Sequence, residues 1–124
     1  MSLLKAFNNH LLEFVEDVIR IFPTNLDIKT GKTFIEGIKR VNPKKIITYW
    51  RDNILMLYEK EILEGDISFF INKDYKNDIG TEAQTLKVLE DIRKLVKETT
   101  KENKDKAMKY IQNLTKLCKL YFMD

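Results

Sequence analysis

Residues 2–22 read SLLKAFNNHLLEFVEDVIRIF. Apolar side chains recur there at helical spacing: Leu3, Leu4, Phe7, Leu11, Leu12, Phe14, Val15, Val18, Ile19, Ile21 and Phe22. At about 100° per residue they cover roughly half the circumference of a helix. A surface helix carries a narrower stripe. The spacing therefore predicts a helix packed on more than one side, at the centre of a bundle. Lys5, Asn9, Glu13, Glu16 and Arg20 take the opposite side. Ser2 suits its N-cap and Pro23 its stop.

The same period continues along the chain. A second helix begins between Asn25 and Thr30 and ends near Val41. Its apolar face is Phe34, Ile35, Ile38 and Val41. Asn42-Pro43 marks a boundary, because Asn caps helices and Pro fits the first helical position. The third helix then runs from Pro43 to Leu63, with Gly65 as its stop. It buries Ile46, Ile47, Trp50, Ile54, Leu57, Tyr58 and Ile62. Asp66 caps a short turn holding Phe69 and Phe70, which anchor it to the bundle, and residues 72–78 read as a polar loop. Thr81 caps a fourth helix carrying Ala83, Leu86, Leu89, Ile92 and Val96. The run TTKENKDK (99–106) has no apolar residue and reads as a turn before a fifth helix that ends near Phe122. No Gly or Pro lies between Thr81 and Asp124, so one long helix is the alternative. The prediction is an all-α fold, one domain over residues 1–124, built as a compact bundle of about five helices.

Composition excludes several classes. The chain has 124 residues, of which 44% are hydrophobic and 33% charged. That is enough for a core and too apolar for a disordered chain. Cys118 is the only cysteine, so no internal disulfide is possible, and a reducing cytoplasm or nucleus is expected. No apolar run approaches the roughly 18–20 residues that span a bilayer. The start MSLLKAF does not resemble a signal or transit peptide.

Thr30-Gly31-Lys32-Thr33 imitates the end of a phosphate-binding loop. The full motif needs Gly where Leu26 stands, and a strand before it. His10 is the single histidine, at the edge of an apolar arc and without a second ligand or a nucleophile in sight. The acids Glu59, Glu61, Glu64 and Asp66 form a cluster that reads as a solvated helix end, and the loop 72–80, with Asp74 and Asp78, lacks the spacing of a calcium loop. No catalytic residue, metal site or cofactor is expected, and the chain reads as a non-enzyme.

Charge is arranged in blocks. The net is +3, but residues 29–51 carry seven basic residues against Glu36 alone, and residues 52–92 have an acidic excess. Lys29, Lys32, Lys39 and Arg40 share the polar side of the second helix, and Lys44, Lys45 and Arg51 follow the turn. Such a band suits an acidic protein surface, or a phosphate backbone. Tyr49, Met56 and Leu63 recur every seventh residue on the polar side of the third helix. Either another helix of the bundle covers this stripe, or it is a protein contact.

The pieces Phe22-Pro23, Ile28-Lys29-Thr30, Val41 to Ile47 and Phe69 to Tyr75 resemble small uncharacterised helical proteins of large DNA viruses of algae and protists. The resemblance covers residues 1–80 and carries no motif of known chemistry. It implies a viral protein, present as a minor virion component or in the infected cell. The expected function is a structural or interaction protein docking on partner proteins through helix faces. Lys29, Lys32, Lys39, Arg40, Lys44, Lys45, Tyr49, Met56 and Leu63 are the expected contacts. The alternative is a nucleic-acid-binding module using the band 29–51.

Overall fold

The computed structural model describes residues 2–72 and 83–123. The described residues form an all-α bundle. Its elements are α1 (Leu3–Ile21), α2 (Leu26–Val41), α3 (Lys45–Trp50), a π-helical segment (Arg51–Leu55), α4 (Met56–Leu63), α5 (Ser68–Asn72), α6 (Ala83–Glu98) and α7 (Lys101–Phe122). With α3, the π-helical segment and α4 taken as one continuous helix, this is the expected five-helix plan with one short extra turn.

Local chemistry sets the ends. Ser2 Oγ accepts from Lys5 N–H, Asn25 Oδ1 from Ile28 N–H and Thr100 Oγ1 from Asn103 N–H. Each satisfies an amide that the first turn leaves open, for about 1 kcal/mol. Gly65, at φ +75°, closes α4. Its N–H donates to Ile62 O while Asp66 N–H donates to Glu61 O, the paired bonds of a Schellman stop. Asp66 Oδ1 then accepts from Ser68 N–H and Ser68 Oγ to start α5.

Two expected boundaries move. Asn42 does not cap the third helix. It closes α2, its N–H donating to Ile38 O, and α3 starts at Lys45 with no side-chain cap. The chain breaks at Thr99-Thr100, but residues 101–106 are already helical. With Thr100 as cap, a polar run needs no apolar residue to propagate a helix whose inner face begins at Ala107. The long continuous helix is therefore not formed. The expected cap Thr81 and most of the loop 72–78 lie outside the described residues.

α1 occupies the centre, as its wide stripe requires. Phe7, Leu11, Phe14, Val15 and Val18 are buried against α7, α2, α3 and α6. α1 and α2 run antiparallel, since Lys32 pairs with Glu16 and Lys39 with Asn9. Gly31 sits where α2 meets α6. A Cβ built there would lie 3.3 Å from both methyls of Val88, so this glycine permits close helix approach. The phosphate-loop imitation thus has a packing explanation. Thr30 and Thr33 hydroxyls donate back to Leu26 O and Lys29 O within the helix.

Trp50 lies at the middle of the core, 1% exposed, edge-on to Phe7 at 5.9 Å between ring centres. Asn8, 2% exposed, donates from Nδ2 to Pro43 O at 2.9 Å and ties the α2–α3 turn to α1. Tyr58 stacks on Phe69 at 5.0 Å, and Phe70 is buried. The Phe pair anchors α5 as expected. Arg93 Nη1 donates to Ile71 O at 2.6 Å and joins α5 to α6.

Candidate functional site

The expected contact residues do not form one surface. Lys32 Nζ lies 3.5 Å from Glu16 Oε1, and Lys39 Nζ donates to Asn9 Oδ1 at 2.6 Å. Both sit on the flank of α2 that faces α1. Lys29, Arg40 and Lys44 remain exposed, and Lys45 is half-buried. The band is therefore divided: two of its cations serve the α1–α2 seam, and the others point to solvent around the α2–α3 corner. Exposed Asp27 and Glu36 accompany Lys29 on α2, which dilutes the positive field further.

Tyr49 is a correction. It is 3% exposed, in the core rather than on a surface stripe. It borders Phe34 and Ile35 of α2 and Val88 and Ile92 of α6. Two helices therefore cover α3 on the side that a one-sided wheel assigns to solvent. Met56 and Leu63 do the opposite. They are 71% and 76% exposed, and Leu57, expected inside, is 59% exposed.

The π-helical segment separates these fates. Met56 N–H donates to Arg51 O, five residues back. A π turn holds one residue more than an α turn and so sets the following register back by about 100°. In a continuous α-helix Tyr49 and Met56 would share a face to within about 20°. After the inserted residue they do not. Tyr58, with φ −131° and ψ 19°, bends the chain again inside α4. Of α4 only Ile62 is buried. Met56, Leu57 and Leu63 are left facing out.

Acidic groups surround that apolar face. Asp52, Glu64 and Asp66 are exposed, and Glu59 Oε2 accepts from Lys119 Nζ of α7 at 2.5 Å. Lys60 is the only cation of residues 52–66. The neighbouring end of α7 adds Met123, 66% exposed, while Phe122 lies under the Arg51 guanidinium at 4.3 Å. Arg51, part of the expected basic stretch, also pairs with Asp52 at 2.8 Å. Arg51 is therefore spent on packing the α7 terminus and on a carboxylate that helps hold its charge.

A second feature was not legible in the sequence. α1 and α7 leave a groove of about 520 Å³, to which α6 contributes Val96. Tyr110 stacks on Phe14 at 5.0 Å, and His10 tilts against Tyr110 at 4.9 Å. The Tyr110 hydroxyl donates to Asp17, which also pairs with Arg20. Burial, then the bond to Asp17, pushes the Tyr110 hydroxyl up to about 12. His10 Nδ1 lies 3.5 Å from Glu13, while its Nε2 is buried with no hydrogen-bond partner among the described residues. Both aromatic residues sit on helix edges, where a wheel assigns core packing. Only the antiparallel meeting of residues nearly a chain length apart joins them.

Among the described residues no cluster of His, Cys, Asp and Glu could hold a metal ion, and no helix is long and apolar enough to cross a membrane. Cys118 is fully buried, its Sγ 3.4 Å from Ile47 O, and burial pushes its thiol up to about 12. A thiol so held is a core group and not a nucleophile. No family model matches the chain, and neither curated proteins nor solved structures give a match.

Proposed function

We propose that the protein is a non-enzymatic interaction module whose docking face is α4. The observation that carries this reading is the outward exposure of Met56, Leu57 and Leu63 on one helix of eight residues. A π-helical insertion directly before it supports the same reading, because such insertions are frequent at functional sites. Exposed apolar groups clustered on one element and rimmed by charge mark interaction surfaces. The acidic rim specifies the partner. Exposed Glu64 and Asp66, in no ion pair among the described residues, suit an amphipathic helix that carries Lys or Arg beside its apolar stripe. A second copy meeting α4 against α4 would oppose like charges. Affinity would come from the three apolar side chains, and the charges would set orientation and on-rate. Arg40 and Lys44, at the α2–α3 corner, offer a separate cationic surface for an acidic region of the same assembly.

A photocrosslinker placed at position 63 tests this in the native cell. It should give one discrete product, lost in Met56→Asp and Leu57→Asp, while a crosslinker at the exposed Lys94 on α6 gives none. Equal products from both positions would refute the assignment. Binding of the purified chain to nucleic acid at low salt, lost steeply at high salt and in Arg40→Glu/Lys44→Glu, would instead favour the phosphate-backbone alternative at the basic corner.

A further inference from the structure

We propose that the α1–α7 groove is a binding site for a small amphiphilic anion, an apolar body bearing one carboxylate. The volume, about 520 Å³, lies inside the roughly 300–1,000 Å³ of small-molecule sites. Its floor is apolar: Phe14, Val18, Val96 and Ala107 are buried there, and Tyr110 forms a flat wall. The polar groups at the mouth decide the charge of the occupant. Asp17 is already satisfied by Tyr110 and Arg20, so it has little left to offer a cation. Glu13 faces His10. Lys106 and Lys109 are exposed at the edge of the same groove, with no ion pair among the described residues. With Arg20 they set three cations at the mouth against the two carboxylates Asp17 and Glu13, a net positive charge. An apolar body on the floor with its carboxylate between these two lysines satisfies both chemistries at once.

This site is separate from α4 and stands or falls independently of it. The probes are octanoate and 2-naphthoate, with octylamine and 1-octanol as controls, titrated into the isotope-labelled full chain and followed by backbone amide shifts. Octanoate or 2-naphthoate should saturate shifts at Phe14, Ala107 and Tyr110 below about 5 mM, the weak end of specific binding. The two probes also report whether the wall prefers an alkyl or an aromatic body. Octylamine should bind about tenfold more weakly or not at all, since charge-assisted hydrogen bonds to lysine carry the difference. The double variant Lys106→Glu/Lys109→Glu, altered only at exposed positions, should lose about tenfold or more of the carboxylate affinity while keeping its amide spectrum elsewhere. Non-saturating shifts with both carboxylates, equal binding of octylamine, or unchanged affinity in the double variant would each overturn the proposal.

Discussion

Trp50 Nε1 donates to Thr115 Oγ1 at 3.0 Å, between two residues that are 1% and 5% exposed. This bond lets the single tryptophan of the chain sit inside the core with its one polar atom paired. It also fixes the register of α3 on α7, along with Cys118 Sγ against Ile47 O. Removing the acceptor leaves a buried N–H open, at a cost of about 1–3 kcal/mol. Thr115→Val should therefore lower unfolding free energy by that amount. Thr115→Ser, which keeps the hydroxyl and loses a methyl, should cost about 1 kcal/mol. Denaturant titration followed by tryptophan emission separates the two.

The two glycines of α2 should respond differently to alanine. Among the described residues, nothing lies within 4 Å of a Cβ built at Gly37. Gly37→Ala should stabilise by about 0.5–1 kcal/mol through helix propensity alone. Gly31→Ala gains the same propensity but presses on Val88 at 3.3 Å, so it should be the less stable of the pair. Gly31→Leu, with no room against α6, should cost about 1–3 kcal/mol. Thermal melts of the three variants check the order.

Much of this architecture can be read from residues alone, and the exceptions have physical causes. Ser2, Asn25 and Gly65 act through bonds to their own neighbours, so their roles are visible in a short window. The width of the apolar arc from Leu3 to Phe22 shows that α1 is central. Tyr49 and Met56 cannot be separated this way. A wheel assumes a constant 100° step, and the π-helical segment breaks that step where no Gly or Pro announces it. Lys32 and Lys39 look equivalent to Lys29 until α1 is placed beside them. The groove at Tyr110 depends on Asp17, 93 positions away, and no local pattern joins the two.

His10 carries a testable cost. Its Nε2 is buried without a hydrogen-bond partner among the described residues, and such a group costs about 1–3 kcal/mol. His10→Phe keeps a ring against Tyr110 and removes the open nitrogen. It should raise the melting temperature by a few degrees, at roughly 3–5 °C per kcal/mol, between the values for smaller and larger domains.

Alkali should destabilise the protein through one buried acid and one half-buried one. The Cys118 thiol is raised from 9.0 to about 12 and the Tyr110 hydroxyl from 10.0 to about 12, in both cases chiefly by burial. A raised group favours the folded state below its unfolded value and loses that advantage as pH climbs to the folded one. Between pH 9 and 12 the unfolded chain releases the Cys118 proton first. Stability then falls by up to about 1.4 kcal/mol per pH unit, and Tyr110 adds its share above pH 10. Cys118→Ala should delay the onset of this loss relative to the parent chain. Urea midpoints measured from pH 8 to 11 give the comparison, and identical pH profiles for the two proteins would count against it.

The central claim is that the π-helical segment turns Met56, Leu57 and Leu63 outward as a docking face for a basic amphipathic helix. It is tested most directly by titrating a helical Leu/Lys peptide, and its Leu/Glu counterpart, into the methyl-labelled protein. Saturable shifts of the Met56, Leu57 and Leu63 methyls are expected with the lysine peptide only, abolished by Met56→Asp/Leu63→Asp in a chain that melts normally. Shifts centred on another element, or equal responses to the two peptides, would contradict it.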